Sequence, residues 1–162
     1  MRMRALGLVI WLAGMIAQPA VAGSWKYELD ERDHSILSYS EDGKATFLIG
    51  CGRAFALHAK YPGTTKKEGD ARLVIASGNR SMAFLGDFEA PFDDLATTFV
   101  QFDLGYRRAD LALYGKKWRA LRNRLLDLLD SGKALKISAG RDSYTLPPVD
   151  AIGWREAFGK CG

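Results

Sequence analysis

Trp25, Tyr27 and Leu29 alternate with Lys26, Glu28 and Asp30, and this period of two, repeated along most of the chain, constrains the fold more than any other feature. Successive side chains of an extended strand point to opposite faces, so such a run buries one face and wets the other. Residues 35–40 and the apolar run 45–51 follow, separated by Glu41-Asp42-Gly43-Lys44, and Asp-Gly between two strand-like runs predicts a hairpin. Residues 53–60 repeat the alternation through Phe55 and Leu57, and the polar stretch 62–70 reads as a loop. Residues 72–77 and 80–85 flank Gly78-Asn79 as a second hairpin, with Leu73, Ile75, Met82 and Phe84 at the apolar positions. An acidic loop with Asp87, Glu89, Asp93 and Asp94 comes next, broken by Pro91, and residues 98–104 read as a further strand.

The period changes between Lys117 and Ser131, where Trp118, Leu121, Leu125, Leu128 and Leu129 recur at steps of three and four, the spacing of one helical face. Arg119, Arg122 and Arg124 are expected away from the strongest apolar positions, and Gly132 supplies the stop. Strand spacing resumes over residues 133–139 and 143–146 around Gly140-Arg141-Asp142, until Pro147-Pro148 blocks extension. Ala151, Trp154, Phe158 and Cys161 return to helical spacing, with Gly153 interrupting it, and predict a short closing helix. The order strands, helix, hairpin, helix predicts an α+β fold, mainly antiparallel β and sandwich-like, with one amphipathic helix and a short C-terminal helix.

Residues 1–22 are set apart. Arg2 and Arg4, an apolar run from Ala5 to Ala17, Pro19 and a final Ala20-Val21-Ala22 form the pattern of a secretory signal peptide. The apolar run is shorter than the roughly 20 residues that span a bilayer, so cleavage after Ala22 is expected rather than anchoring. The remainder, residues 23–162, suits one domain with one core. It also loses Arg2 and Arg4, so part of the net charge of +4 leaves with the signal. A periplasmic or secreted product without a transmembrane anchor is therefore expected. Cys51 and Cys161, the two cysteines of the chain, are expected to form one disulfide in an oxidising compartment.

Motifs for several chemistries are missing from the sequence. It has no Gly-x-Ser-x-Gly elbow, no phosphate-binding Walker loop and no Gly-x-Gly-x-x-Gly, so neither a serine hydrolase elbow nor a nucleotide cofactor is supported. Without Cys-x-x-Cys or an EF-hand loop, and with His34 and His58 as the two histidines, no metal site is expected. No cofactor is expected either. The sharpest positive concentration is Arg107, Arg108, Lys116, Lys117, Arg119, Arg122 and Arg124, interleaved with Tyr106, Tyr114 and Trp118. Charge attraction and aromatic packing suit such a segment to an acidic partner, with Arg107, Arg108, Lys117, Trp118, Arg119 and Arg122 as the candidate binding residues. Its competing reading is the solvated face of a helix. Nucleic acid is not expected of an exported chain of modest charge.

The exported start, the strand ending Leu48-Ile49-Gly50-Cys51, the later Arg72-Leu73-Val74-Ile75, and Leu128-Leu129-Asp130-Ser131-Gly132 leading into Lys133-Ala134-Leu135-Lys136-Ile137-Ser138 and Tyr144-Thr145-Leu146 together resemble small bacterial envelope proteins of the invasion-associated locus B type. The chain has fewer cysteines than that family implies, and residues 154–162 differ from its usual ending. The resemblance implies a periplasmic, β-rich, noncatalytic protein and carries over no site residue. The expectation is thus a noncatalytic envelope protein that binds another protein or an envelope component. The alternatives are a small secreted hydrolase using Asp87, Glu89, Asp93 and Asp94, a pair of carboxyls being able to share acid and base roles, and a secreted enzyme inhibitor.

Overall fold

A computed structural model describes residues 23–51, 55–66, 69–88, 99–103 and 111–160. The expected signal peptide, residues 1–22, lies outside them. Among the described residues, nine strands and two helices follow one another as β1 (Ser24–Leu29), β2 (Ser35–Glu41), β3 (Lys44–Cys51), β4 (Phe55–Lys60), β5 (Asp70–Ser77), β6 (Arg80–Phe88), β7 (Phe99–Asp103), α1 (Leu111–Leu129), β8 (Leu135–Ala139), β9 (Asp142–Leu146) and α2 (Trp154–Gly159). The fold is α+β and mainly antiparallel β. The strands hydrogen-bond in the order β1-β2-β3-β4-β7-β6-β5-β8-β9, and every neighbouring pair is antiparallel.

The register explains the core. Directly opposed residues of an antiparallel pair share a face, and the apolar members of each alternation are set opposite one another. Trp25 faces Tyr39, which faces Phe47; Leu37 faces Ile49, which faces Leu57. Leu73 faces Phe84, and Ile75 lies between Met82 and Ile137. All of these side chains are buried, and each contributes about 1.5–3 kcal/mol by leaving water. The Trp25 ring meets Tyr39 at 5.2 Å and Phe47 edge-on at 5.6 Å.

Bonds between distant strands hold the ends of the sheet together. The Trp25 indole N–H donates to the Pro147 carbonyl at 3.1 Å, joining β1 to the residue that follows β9, the two outermost strands. From β9, the Tyr144 hydroxyl donates to the Lys60 carbonyl at 2.9 Å, at the end of β4. Burial pushes that phenol well above its ordinary pKa, so it remains a donor at any physiological pH.

The turns follow the expected chemistry. Asp42 and Gly43 both have positive φ, 52° and 74°, as the two-residue hairpin turn requires. A Cβ on Gly43 would meet nothing within 4 Å, so Gly43→Ala is expected to cost about 1 kcal/mol through backbone conformation alone. Gly43→Asn should cost less, since asparagine tolerates the left-handed region. Urea titrations of both variants check this, and an alanine variant as stable as the parent would refute it. Gly132, φ 66°, follows α1 as its stop.

Three expectations are corrected. The helix begins at Leu111, a turn and a half before the apolar spacing becomes regular. Asp87 lies within β6 rather than in a loop. Gly153 does not oppose the closing helix; its φ of 80° makes it the residue that opens α2, whose Trp154 and Phe158 are buried.

Candidate functional site

The second half of α1 lies over the sheet, where it touches β5, β6 and α2. Leu125, Leu126, Leu128 and Leu129 are buried, while Arg119, Asn123, Arg124 and Asp127 are exposed. Arg122 is the exception to the expected division. Its charge predicts the wet face, yet it is only 6% exposed. Helical geometry accounts for this: Leu125, Leu126 and Leu129 stand three, four and seven residues on, so they share its side of the helix.

The surroundings of Arg122 are unusual for a buried charge. Its Nε and Nη2 each lie 3.4 Å from Asn123 Oδ1, the side chain of the adjacent residue. Its Nη1 is buried and has no hydrogen-bond partner among the described residues. Burial, and then the charges of Arg119 and Arg155, pull the guanidinium below its ordinary pKa. Arg155, on α2, was not singled out in the sequence. It donates to Asp127 Oδ1 at 2.7 Å and stands 3.7 Å from Asp130 Oδ2. Both carboxylates serve Arg155 on the exposed side of α1, and no hydrogen bond or ion pair joins a carboxylate to Arg122 among the described residues.

The other candidates divide by position. Lys117 and Trp118 lie in α1, upstream of Arg119. Arg107 and Arg108 lie outside the described residues, as do Glu89, Asp93, Asp94 and Cys161. Asp87 is exposed and faces Asp70 across the β5–β6 ladder. His34 stands beside Asp30, with Nδ1 to Oδ2 at 2.9 Å, in the turn between β1 and β2. His58 is on β4, where burial lowers its pKa and favours the neutral ring. The two histidines occupy separate elements. Among the described residues, no group of three or more His, Cys, Asp or Glu side chains could hold a metal ion, and no helix is long and apolar enough to cross a membrane.

A polar cleft of about 440 Å³ opens between the β5–β6 turn and the end of α1, lined by Ser77, Asn79, Arg80, Asp127, Asp130, Ser131 and Lys133. It contains two hydroxyls and a lysine, which raises the question of a serine nucleophile. Ser77 Oγ lies 2.5 Å from Ser131 Oγ and within 3.2–3.3 Å of the Ala134 and Lys133 carbonyls. Ser131 Oγ also accepts the Lys133 backbone N–H at 3.3 Å. Carbonyls only accept, so the Ser77 proton goes to one of them and Ser131 donates to Ser77. The hydroxyls form a relay that ties the α1–β8 connection to β5, and among the described residues no carboxylate, histidine or lysine side chain hydrogen-bonds to either of them. The cleft is therefore read as structural, and the buried arginine on α1 is the stronger candidate. No family model, curated protein or solved structure matches the chain.

Proposed function

We propose that the chain is a noncatalytic exported envelope protein, periplasmic or secreted, that binds an acidic protein or envelope component through the basic face of α1. The candidate residues are Arg119 and, from the same basic stretch of sequence, Lys117 and Trp118 of α1 and Arg107 and Arg108, which lie outside the described residues, with Arg155 added from α2. The observation that carries this reading is the guanidinium of Arg122, which has no carboxylate partner among the described residues and stands beside two further arginines. A buried charge without a counter-charge is costly, by several kcal/mol, and an arriving acidic group offsets that cost. The signal-like pattern of residues 1–22 and the resemblance to invasion-associated locus B proteins support the envelope assignment.

The same proposal includes a sandwich-like packing of the β1–β4 and β5–β9 arms, with an amphipathic α1 across one of them. It is supported by the Trp25–Pro147 and Tyr144–Lys60 hydrogen bonds and by the buried leucines of α1. A Cys51–Cys161 disulfide is supported by the burial of Cys51 and by the absence of a free cysteine among the described residues.

The test uses the chain from Gly23 onward, incubated with the envelope fraction of its host, beside a variant with Arg107, Arg108, Lys117 and Arg119 replaced by serine. The parent should retain a component and the variant about tenfold less, a difference of ~1.4 kcal/mol. The Tm of an Arg119→Ser variant should not move by much, because Arg119 is exposed and exposed substitutions usually stay within about 0.5 kcal/mol. Equal retention by the two proteins removes the basic face from the reading.

A further inference from the structure

β1 is an outermost strand of the sheet and pairs with β2 alone. Its hydrogen-bonding phase is set at the turn, where the Asp30 N–H donates to the His34 carbonyl at 2.9 Å and continues the ladder that sets Leu29 opposite Ser35. Backbone groups of successive residues point to alternate sides of a strand, and the β1–β2 register runs without a shift. Ser24, Lys26 and Glu28 therefore direct their N–H and C=O groups toward β2, while Trp25, Tyr27 and Leu29 direct theirs outward. Among the described residues, no backbone hydrogen bond reaches that outward edge. α2 touches β2, one strand in, and the bond to Pro147 comes from the Trp25 ring rather than its backbone. Such an open row of donors and acceptors is a template for another strand.

The side chains select which strand fits. Lys26 and Glu28 form an ion pair on the solvent side of β1 and flank Tyr27 symmetrically in the sequence. An antiparallel copy of β1 centred on Tyr27 sets Lys26 opposite the partner's Glu28, and Glu28 opposite the partner's Lys26. In that register Tyr27 meets the partner's Tyr27 and Trp25 meets the partner's Leu29, so the residues with outward backbone groups become the hydrogen-bonded pairs. The charges then fall at the intervening pairs, where opposed side chains approach most closely. Sliding the copy by two residues places Lys26 opposite its own counterpart in one direction and Glu28 opposite its own in the other, and like charges directly opposed are destabilising. Leu29, 56% exposed at the end of β1, is covered in the favoured register. The other outermost strand, β9, offers no such match, because its one charged residue is Asp142.

We propose that β1 is a self-association edge, at which two copies of the chain pair β1 to β1 about a twofold axis at Tyr27 and continue one sheet into the next. Sedimentation of the chain from Gly23 onward at rising concentration provides the test. The parent should pass from monomer to dimer between micromolar and millimolar concentration, a weak association because a six-residue strand covers less than a standard interface of about 1,600 Å². Lys26→Glu and Glu28→Lys each set like charges opposite one another at both symmetry-related positions, and each should raise the dissociation constant about tenfold. An equimolar mixture of the two variants sets every acid opposite a base, and should dimerise at least as well as the parent. That rescue also shows that both variants fold. Amide exchange at Tyr27 and Leu29 should slow as the dimer forms, while Lys26 and Glu28, already bonded to β2, should not change.

A parent that stays monomeric at millimolar concentration would overturn the proposal. So would a dimer that both charge reversals leave intact, since the contact would then lie on another face. A mixture no more associated than either variant alone would reject the antiparallel register. If the Tyr27 and Leu29 amides gain protection only when an envelope fraction is added, the edge takes a strand of another protein and the second copy is rejected.

Discussion

Phe158→Ala is expected to destabilise the protein by about 4 kcal/mol, as deletion of a fully buried aromatic ring leaves a cavity that the surroundings fill only in part. Phe158 has no exposed surface, packs edge-on against Tyr27 of β1 at 6.4 Å and meets Trp154 at 6.1 Å. A six-residue helix has no stability of its own in water, so α2 exists because these two rings are buried. Losing one of them should release the element as a whole. Against a total stability on the order of 5–15 kcal/mol for a domain of this size, the Tm should fall by roughly 10 °C. Ile152→Ala provides the control, since Ile152 is 93% exposed just before the same helix, and it should stay within about 0.5 kcal/mol of the parent. A Phe158→Ala variant losing under ~1 kcal/mol would mean that α2 does not close the core.

The strands were legible because their cause is local. The alternation in Trp25-Lys26-Tyr27-Glu28-Leu29 and the Asp42-Gly43 turn act over a few residues, and both appear in β1 and in the β2–β3 hairpin. The order of the strands was not legible. β7 lies between β4 and β6, and β8 joins β5, through backbone hydrogen bonds whose geometry leaves no mark on side-chain spacing. The candidate site shows the same division. Arginine at position 122 was visible as one charge in a basic run, and charge alone suggested a wet face. Its spacing of three and four from Leu125 and Leu126 marks the buried side of the helix, a periodicity that the polarity of the guanidinium masks. Arg155 gave no signal at all, since its neighbours Asp127 and Asp130 come from a distant part of the chain.

Cys51→Ser should cost about 4 kcal/mol if the proposed bond to Cys161 exists, because a cross-link closing so long a loop restricts the unfolded chain strongly. Among the described residues, contacts run from α2 to the end of β3 that carries Cys51. Phe158 of α2 lies against Tyr27, the Tyr27 hydroxyl is 3.5 Å from Ser35 Oγ, and Ser35 is directly opposite Cys51 in the β2–β3 ladder. Residue 161 follows α2 by two positions and lies outside the described residues. A buried cysteine changed to serine carries a cost even without a disulfide, which makes the single variant ambiguous. Cys161→Ser and the double variant remove the ambiguity. With the bond, each single change and the double change cost nearly the same, because either one abolishes the shared cross-link and the second removes little more. Without it, Cys161→Ser has almost no effect and the costs add. Urea unfolding with and without reductant gives an independent reading: reduction should bring the parent down to the level of the Cys161→Ser variant and leave that variant unchanged. A parent whose midpoint does not move on complete reduction would exclude the disulfide, and α2 would then be held to the sheet by Trp154 and Phe158 alone.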